Sequence, residues 1–200
     1  MERLEQQTMS LQSAIVGRRT IRNFNGKPLP QNAIAELLED AVWAPFHSPK
    51  EPWRFILFTG DGRNKFADAV RLTQSKEMLE KWDNWIETQY CSLMQAHLIV
   101  VVKTFPKHQE WEEALMAASA LIQNIQLLAW ERDIGVVWKT HDYNWDERFH
   151  RAVGVRSDER IAGTLHLGYF DSVPKAKRRT SAAKLLTCFG NESDPSPASP

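Results

Sequence analysis

The chain has 200 residues, and its 25 Lys+Arg offset 25 Asp+Glu, so no overall field draws it to nucleic acid or anionic lipid. At 42% hydrophobic and 25% charged, the composition is that of a folding globular chain long enough to bury a real core, and it excludes general disorder. The longest strongly apolar run, Leu98 to Val102, is far short of the roughly 20 residues a spanning helix needs.

Met1 to Gln7 carries charge of both signs and no apolar stretch, so it is not read as a secretory signal. A short amphipathic helix, Leu11 to Val16, stops at Gly17 and runs into the basic cluster Arg18-Arg19-Thr20-Ile21-Arg22. After Pro28 and Pro30, Gln31 to Trp43 places Ile34, Leu37, Leu38, Ala41 and Val42 at helical spacing and ends before Pro45. Phe46 to Pro52 is turn chemistry, and Trp53 to Thr59 is a buried strand closed by Gly60-Asp61-Gly62. Asn64 to about Tyr90 reads as helix, loosened around Lys81 to Trp85, and His97 to Lys103 as a second strand. Glu110 to Arg132 carries a wide apolar face from Leu115 to Ala129, which predicts a helix buried on most sides, in part by a second subunit.

Gly135 stands where a left-handed cap would end that helix, and Val136 to Thr140 follows as strand or strand edge. Asn144 with Glu147 reads as a capping box for a short helix ending at Gly154. Ile161 to Gly168 is a fourth strand, followed by the basic stretch Lys175 to Arg179. Residues 1–190 are expected to form one domain, and residues 191–200, rich in Ser and Pro, a disordered tail. Helices and strands interleave, which means α/β or α+β.

Much chemistry is missing. The six histidines form no close ligand pair, and Cys91 and Cys188 make neither a zinc pattern nor a disulfide framework, so no metal is expected and a cytoplasmic chain is. There is no G-x-S-x-G and no Walker loop, and Gly60-Asp61-Gly62 lacks the third glycine of a dinucleotide fingerprint. Glu110, Glu112 and Glu113 suit the first turn of a helix better than an acid/base pair. A chain with this much core and none of these devices is a binder or an enzyme whose cofactor does the chemistry.

The arginines point to the second case. R-R-T-x-R-x-F at Arg18 to Phe24 is followed by Ala44-Pro45, then Pro52-Trp53-Arg54-Phe55. A-x-x-Q-N-x-x-L at Ala120 to Leu127, Gly135 to Trp138, and Leu167-Gly168-Tyr169 complete a series that resembles the short branch of the FMN-dependent NAD(P)H nitroreductase family, over roughly residues 11 to 186. That resemblance implies an α+β fold: a central mixed or antiparallel sheet flanked by helices, with a long buried helix at the core of a homodimer. It implies FMN as cofactor and NADPH or NADH as donor. Hydride would pass through flavin N5 to a nitroaromatic or quinone-like small-molecule acceptor by ping-pong exchange, with no side chain as acid or base. Dehalogenation, azoline oxidation, flavin fragmentation or a non-catalytic flavin-binding role on the same fold are the alternatives, and neither a nucleic-acid nor a membrane partner is implied.

The residues make physical sense for a flavin phosphate, because guanidinium groups meet phosphate oxygens in bidentate geometry. By the resemblance, Arg18 and Thr20 hold the phosphate and ribityl end with Arg19 beside them, and Lys177 and Arg179 supply a second cationic contact. Arg22 takes the position that faces charge developing near N1 and O2 of reduced flavin. Trp138, Lys139 and Thr140 lie along the isoalloxazine, with the backbone N–H near Thr140 toward N5. The loop Trp43 to Trp53 reaches the partner's cofactor, which makes Trp43 and His47 contacts from the other subunit. Two departures stand out. Thr20 replaces the family's serine, and Phe46 to Glu51 lacks the Asn and Gln found there in many relatives. The Trp82 and Trp85 stretch falls where relatives vary in the pocket lid.

Overall fold

The computed structural model describes residues 9–48 and 50–189, so the expected tail at 191–200 lies outside the described residues. Four strands form one sheet in the order β1-β2-β4-β3: β1 Trp53–Thr59, β2 Ala96–Lys103, β3 Gly135–Lys139 and β4 Glu159–Gly168. Every strand pair is antiparallel. The parallel element allowed for by a mixed sheet shrinks to one bridge, Thr20 to Val136, where Ile21 N donates to Val136 O at 3.1 Å.

Both faces of the sheet are covered, which is why β2 is an apolar run rather than an alternating one. Its odd-numbered Ile99 and Val101 face one cluster with Phe66, Tyr90 and Phe149. The even-numbered Leu98 and Val100 face another with Leu37, Leu121 and Ile125. The first cluster lies under α3 Gly62–Arg71, α4 Lys76–Ile86 and α6 Glu147–Val153, the second under α2 Gln31–Ala41 and α5 His108–Glu131. Full burial of one such side chain is worth about 1.5–3 kcal/mol, so these two layers carry most of the stability.

Four local expectations are corrected. The helix expected over 64–90 breaks at Thr73 to Ser75, not around Lys81 to Trp85: the Ser75 side chain accepts from Met78 N at 3.3 Å and starts α4 afresh. Past α4 the chain widens into a π-helical stretch, Glu87–Leu93, where Met94 N reaches back five residues to Gln89 O. The left-handed residue after α5 is Asp133 (φ 56°), with Ile134 N closing onto Ala129 O at 2.8 Å. Gly135 opens β3 instead, and it is glycine because a Cβ there would lie 2.8 Å from Ile21 Cβ and from Phe170 Cδ1.

Asp146, not Asn144, caps α6, accepting from Arg148 N at 2.8 Å. Asn144 is buried in the short 3₁₀ segment Asp142–Trp145, where it donates to Lys139 O and accepts from Thr164 Oγ1 at 2.9 Å. The burial of α5 on most sides is also not met within one chain. Its core stripe runs from Ala114 to Ala129, while Leu115 and Met116 face outward.

Beside Phe66, β2 and β4 hold a fully buried histidine pair. His97 Nδ1 and His166 Nδ1 are 2.8 Å apart, and His97 Nε2 is 2.8 Å from Tyr90 O. A carbonyl can only accept, so His97 carries its proton on Nε2 and receives a hydrogen bond from His166 Nδ1–H. That leaves the Nε2 lone pair of His166 buried without a partner among the described residues. Burial pushes His97 down to about 3, and burial together with His97 pushes His166 well below the usual range, so both are neutral.

Candidate functional site

The basic cluster begins at the end of α1 Leu11–Gly17. Arg19 Nη1 turns back and donates to the carbonyls of Val16 (2.7 Å), Gly17 (2.9 Å) and Arg18 (2.8 Å), capping the helix exit. The chain then runs extended against β3 through Thr20 and Ile21. Ile21 is buried in the core, so the twofold alternation of an extended chain turns Thr20 and Arg22 the other way. Arg18 is placed from α5: its Nη1 donates to Gln126 Oε1 at 3.3 Å.

Thr20 and Arg22 form one wall of a cleft of about 560 Å³ together with Arg18 and Arg19. The facing wall is the extended chain after β4, which contributes Lys175, Lys177 and Arg179. Pro174 and Ala176 line it beside them, so Lys175 joins the two expected cations and Arg178 does not. No carboxylate lines the cleft, and none of its cations is in an ion pair among the described residues. Burial, then Arg19, then Arg179 push the Arg18 guanidinium below its ordinary value. The Nε atoms of Arg18 and Arg19 are buried and unpartnered. In a protein of zero net charge, this is a concentrated cationic cleft of a chemistry that suits an anion. Guanidinium forks and a threonine hydroxyl fit a phosphate monoester.

The remaining predicted residues lie outside that cleft. Trp138, at the end of β3, rests its indole over Gly163. Any side chain at position 163 would overlap it, so Gly163→Ala is expected to cost about 1.5 kcal/mol through forced displacement of Trp138, read as a lowered urea midpoint. An unchanged midpoint would mean that the indole is free to move. Lys139 is half-buried with its Nζ 5.6 Å from the Trp85 ring centroid, and burial and then Arg22 lower its ammonium below its ordinary value. Arg22 therefore links the cleft electrostatically to the Trp138-Lys139-Thr140 segment. Thr140 is exposed just past the strand.

Trp43 and His47 are brought to neither place. Trp43 is 87% exposed, and His47 lines a separate hollow of about 570 Å³ with Phe46, Met116 and Ala120, 3.8 Å from Glu113 Oε2. Asn124 ties α5 to α2 through Ala41 O at 3.3 Å, as a purely structural residue would. Sequence reasoning missed Gln126, although a glutamine on the buried face of an apolar helix was the signal for it.

Among the described residues, no group of three His, Cys, Asp or Glu is placed to hold a metal, and no helix is long and apolar enough to cross a membrane. Fold and cleft together define an α+β protein with a cationic cleft between residues 15–22 and 174–179.

The chain belongs to the nitroreductase family, whose model matches residues 15–169. YfhC of Bacillus subtilis, which carries a provisional NAD(P)H nitroreductase name, is 36% identical over 182 residues, covering 88% of this chain and 93% of YfhC. The crystal structure of a nitroreductase-like family protein from Bacillus cereus superposes with a TM-score of 0.86 at 36% identity, over 90% of this chain and 96% of that one. The FMN and NADPH-dependent nitroreductase NfnB from Sphigopyxis sp. strain HMH shares the fold at a TM-score of 0.71 and 16% identity, over 90% and 99% of the two chains.

Proposed function

We propose that this protein is an FMN-dependent oxidoreductase that passes hydride from NADPH or NADH to a nitroaromatic or quinone-like acceptor in alternating half-reactions. The observation that carries the reading is the cleft, in which Arg18, Thr20 and the cations Lys175, Lys177 and Arg179 converge with no acid among them. Bound FMN would supply the hydride-carrying chemistry, which is why this chain needs no nucleophile, metal or acid/base pair of its own.

The protein's own residues bind and orient. Gln126 fixes the Arg18 fork, and the part-buried setting strengthens its pairing with a phosphate dianion over what water would allow. Arg19 is partly committed to capping α1, so it contributes charge more than contact. Arg22 and Lys139 put positive charge toward the isoalloxazine end, where it favours the reduced flavin. The site is completed by a second copy of the chain in this reading. Ile15 and Val16 on α1, Met116 on α5, and Leu185, Leu186 and Phe189 beyond the cleft are apolar and exposed, which a partner would cover. Trp43 and His47 then meet the partner's cofactor, and the setting is cytoplasmic.

The test is the visible spectrum of the purified protein supplemented with FMN and freed of excess, before and after anaerobic NADPH or NADH. A retained flavin band that the nicotinamide bleaches is the expected result. No retained flavin, or retained flavin that neither nicotinamide reduces, sinks the oxidoreductase reading.

A further inference from the structure

Hydride transfer itself calls for no side-chain acid, but a reduced quinone or nitro group must also gain a proton, and the reading above leaves that proton without a source. A cavity of about 270 Å³ opens between α4, the π-helical stretch and the 3₁₀ segment after β3. It adjoins the Trp138-Lys139-Thr140 segment: Lys139 holds its ammonium over the ring of Trp85, which lines the cavity, and Arg22 of the cleft acts on Lys139 in turn. His141, the residue after Thr140, lines the cavity too.

Most of the lining cannot hand over a proton. Val70, Gln74, Met78, Trp82, Trp85 and Ile86, the side that α4 and the end of α3 contribute, do not titrate. The hydroxyls of Tyr90 and Tyr143 bond to each other, and burial pushes Tyr90 up to about 12 and Tyr143 well above its ordinary value. Asp142 brings negative charge rather than a proton. His141 is what remains. It is exposed enough to exchange with solvent, and its ring meets Tyr143 at 5.1 Å between centroids. Burial and then Lys139 of β3 lower it below its ordinary value, and Asp142 draws it back, while His166 of β4 stays neutral. A donor works best when it titrates near the working pH, and imidazole is the side chain that does so.

We propose that His141 is the proton donor to an acceptor held in this cavity, an assignment that rests on the oxidoreductase reading. When a quinone is reduced, two electrons and one proton arrive as the hydride of reduced flavin. The second proton leaves the His141 imidazolium, the quinone becomes its hydroquinone, and the neutral imidazole takes a proton back from water.

In alternating half-reactions, kcat/KM for the acceptor reports only the step in which the acceptor is reduced. The test is its profile from about pH 5.5 to about pH 8.5 with 1,4-benzoquinone and with ferricyanide, which takes electrons and no proton. With benzoquinone the wild-type value is expected to rise as the pH falls, with a solvent deuterium isotope effect. His141→Gln lowers it about tenfold at the acid end, flattens the profile and removes the isotope effect, while its ferricyanide value follows the wild type. The histidine ring signal missing from the proton NMR spectrum of His141→Gln gives a readout apart from turnover: in the wild type it titrates with the midpoint of the kinetic rise. A benzoquinone profile shared by both proteins, an equal loss with ferricyanide, or midpoints more than about one pH unit apart overturns the assignment. Where nicotinamide bleaches retained flavin and one of these results is found, the donor falls and the oxidoreductase reading stands; where neither nicotinamide bleaches it, both fall.

Discussion

Arg18→Ala is expected to weaken FMN binding by about 2 kcal/mol, or about thirtyfold in Kd, the worth of hydrogen bonds to a charged group in a partly buried setting. Arg18 is the cation of the cleft that is both held from α5 by Gln126 and crowded by like charge from Arg19 and Arg179. Removing it takes away the fork that α5 aims. Arg18→Lys should recover part of the loss, because it restores charge without the planar fork. Quenching of FMN fluorescence on titration measures the series, and repeating it at higher salt separates the contributions, since exposed Lys175 and Lys177 are screened more than Arg18. Equal Kd for wild type and Arg18→Ala would remove Arg18 from the phosphate site.

The second large effect is on stability. In the unfolded chain both His97 and His166 take up a proton near pH 6.5, while the folded pair stays neutral, His97 down to about 3 and His166 far below its usual range. Between those limits the unfolded state binds more protons. Stability is therefore full above pH 6.5 and falls as the pH is lowered through the window. Each histidine contributes a slope of about 1.4 kcal/mol per pH unit once titration is complete, so the pair costs about 4 kcal/mol by about pH 5. That is a large part of an ordinary domain's stability, and it arrives before the carboxylates titrate. Arg63, Lys139 and His141 add positive charge that works in the same direction. Urea midpoints across the window measure the slope. His97→Leu with His166→Leu should flatten it, and an unchanged slope in that double variant would assign the acid sensitivity elsewhere.

What could be read from the chain alone was local. The runs Trp53 to Thr59 and Leu98 to Val102 have the branched and aromatic character of strands covered on both faces, and the 3.6-residue period of α2 and α5 needs no tertiary information. Arg18, Thr20 and Arg22 stand close together in sequence, so their cluster was visible. What was hidden depends on distant partners. Gln126 reaches Arg18 across 108 residues of chain, and His97 meets His166 across 69. Asn144 was misread because capping residues and buried amides share a composition, and only the position of Thr164 decides between them. The break before α4 came from a single serine hydroxyl, a signal weaker than the surrounding helical propensity.

The cleft has walls that lie far apart in sequence, residues 18–22 and 174–179, so any molecule held there acts as a clasp. Once it is closed, neither wall can peel away without first releasing the molecule, and the whole sheet lies inside the loop so formed. Ligand occupancy and the protection of these two segments against local opening would then rise together, because parting of the walls and ligand escape become the same event.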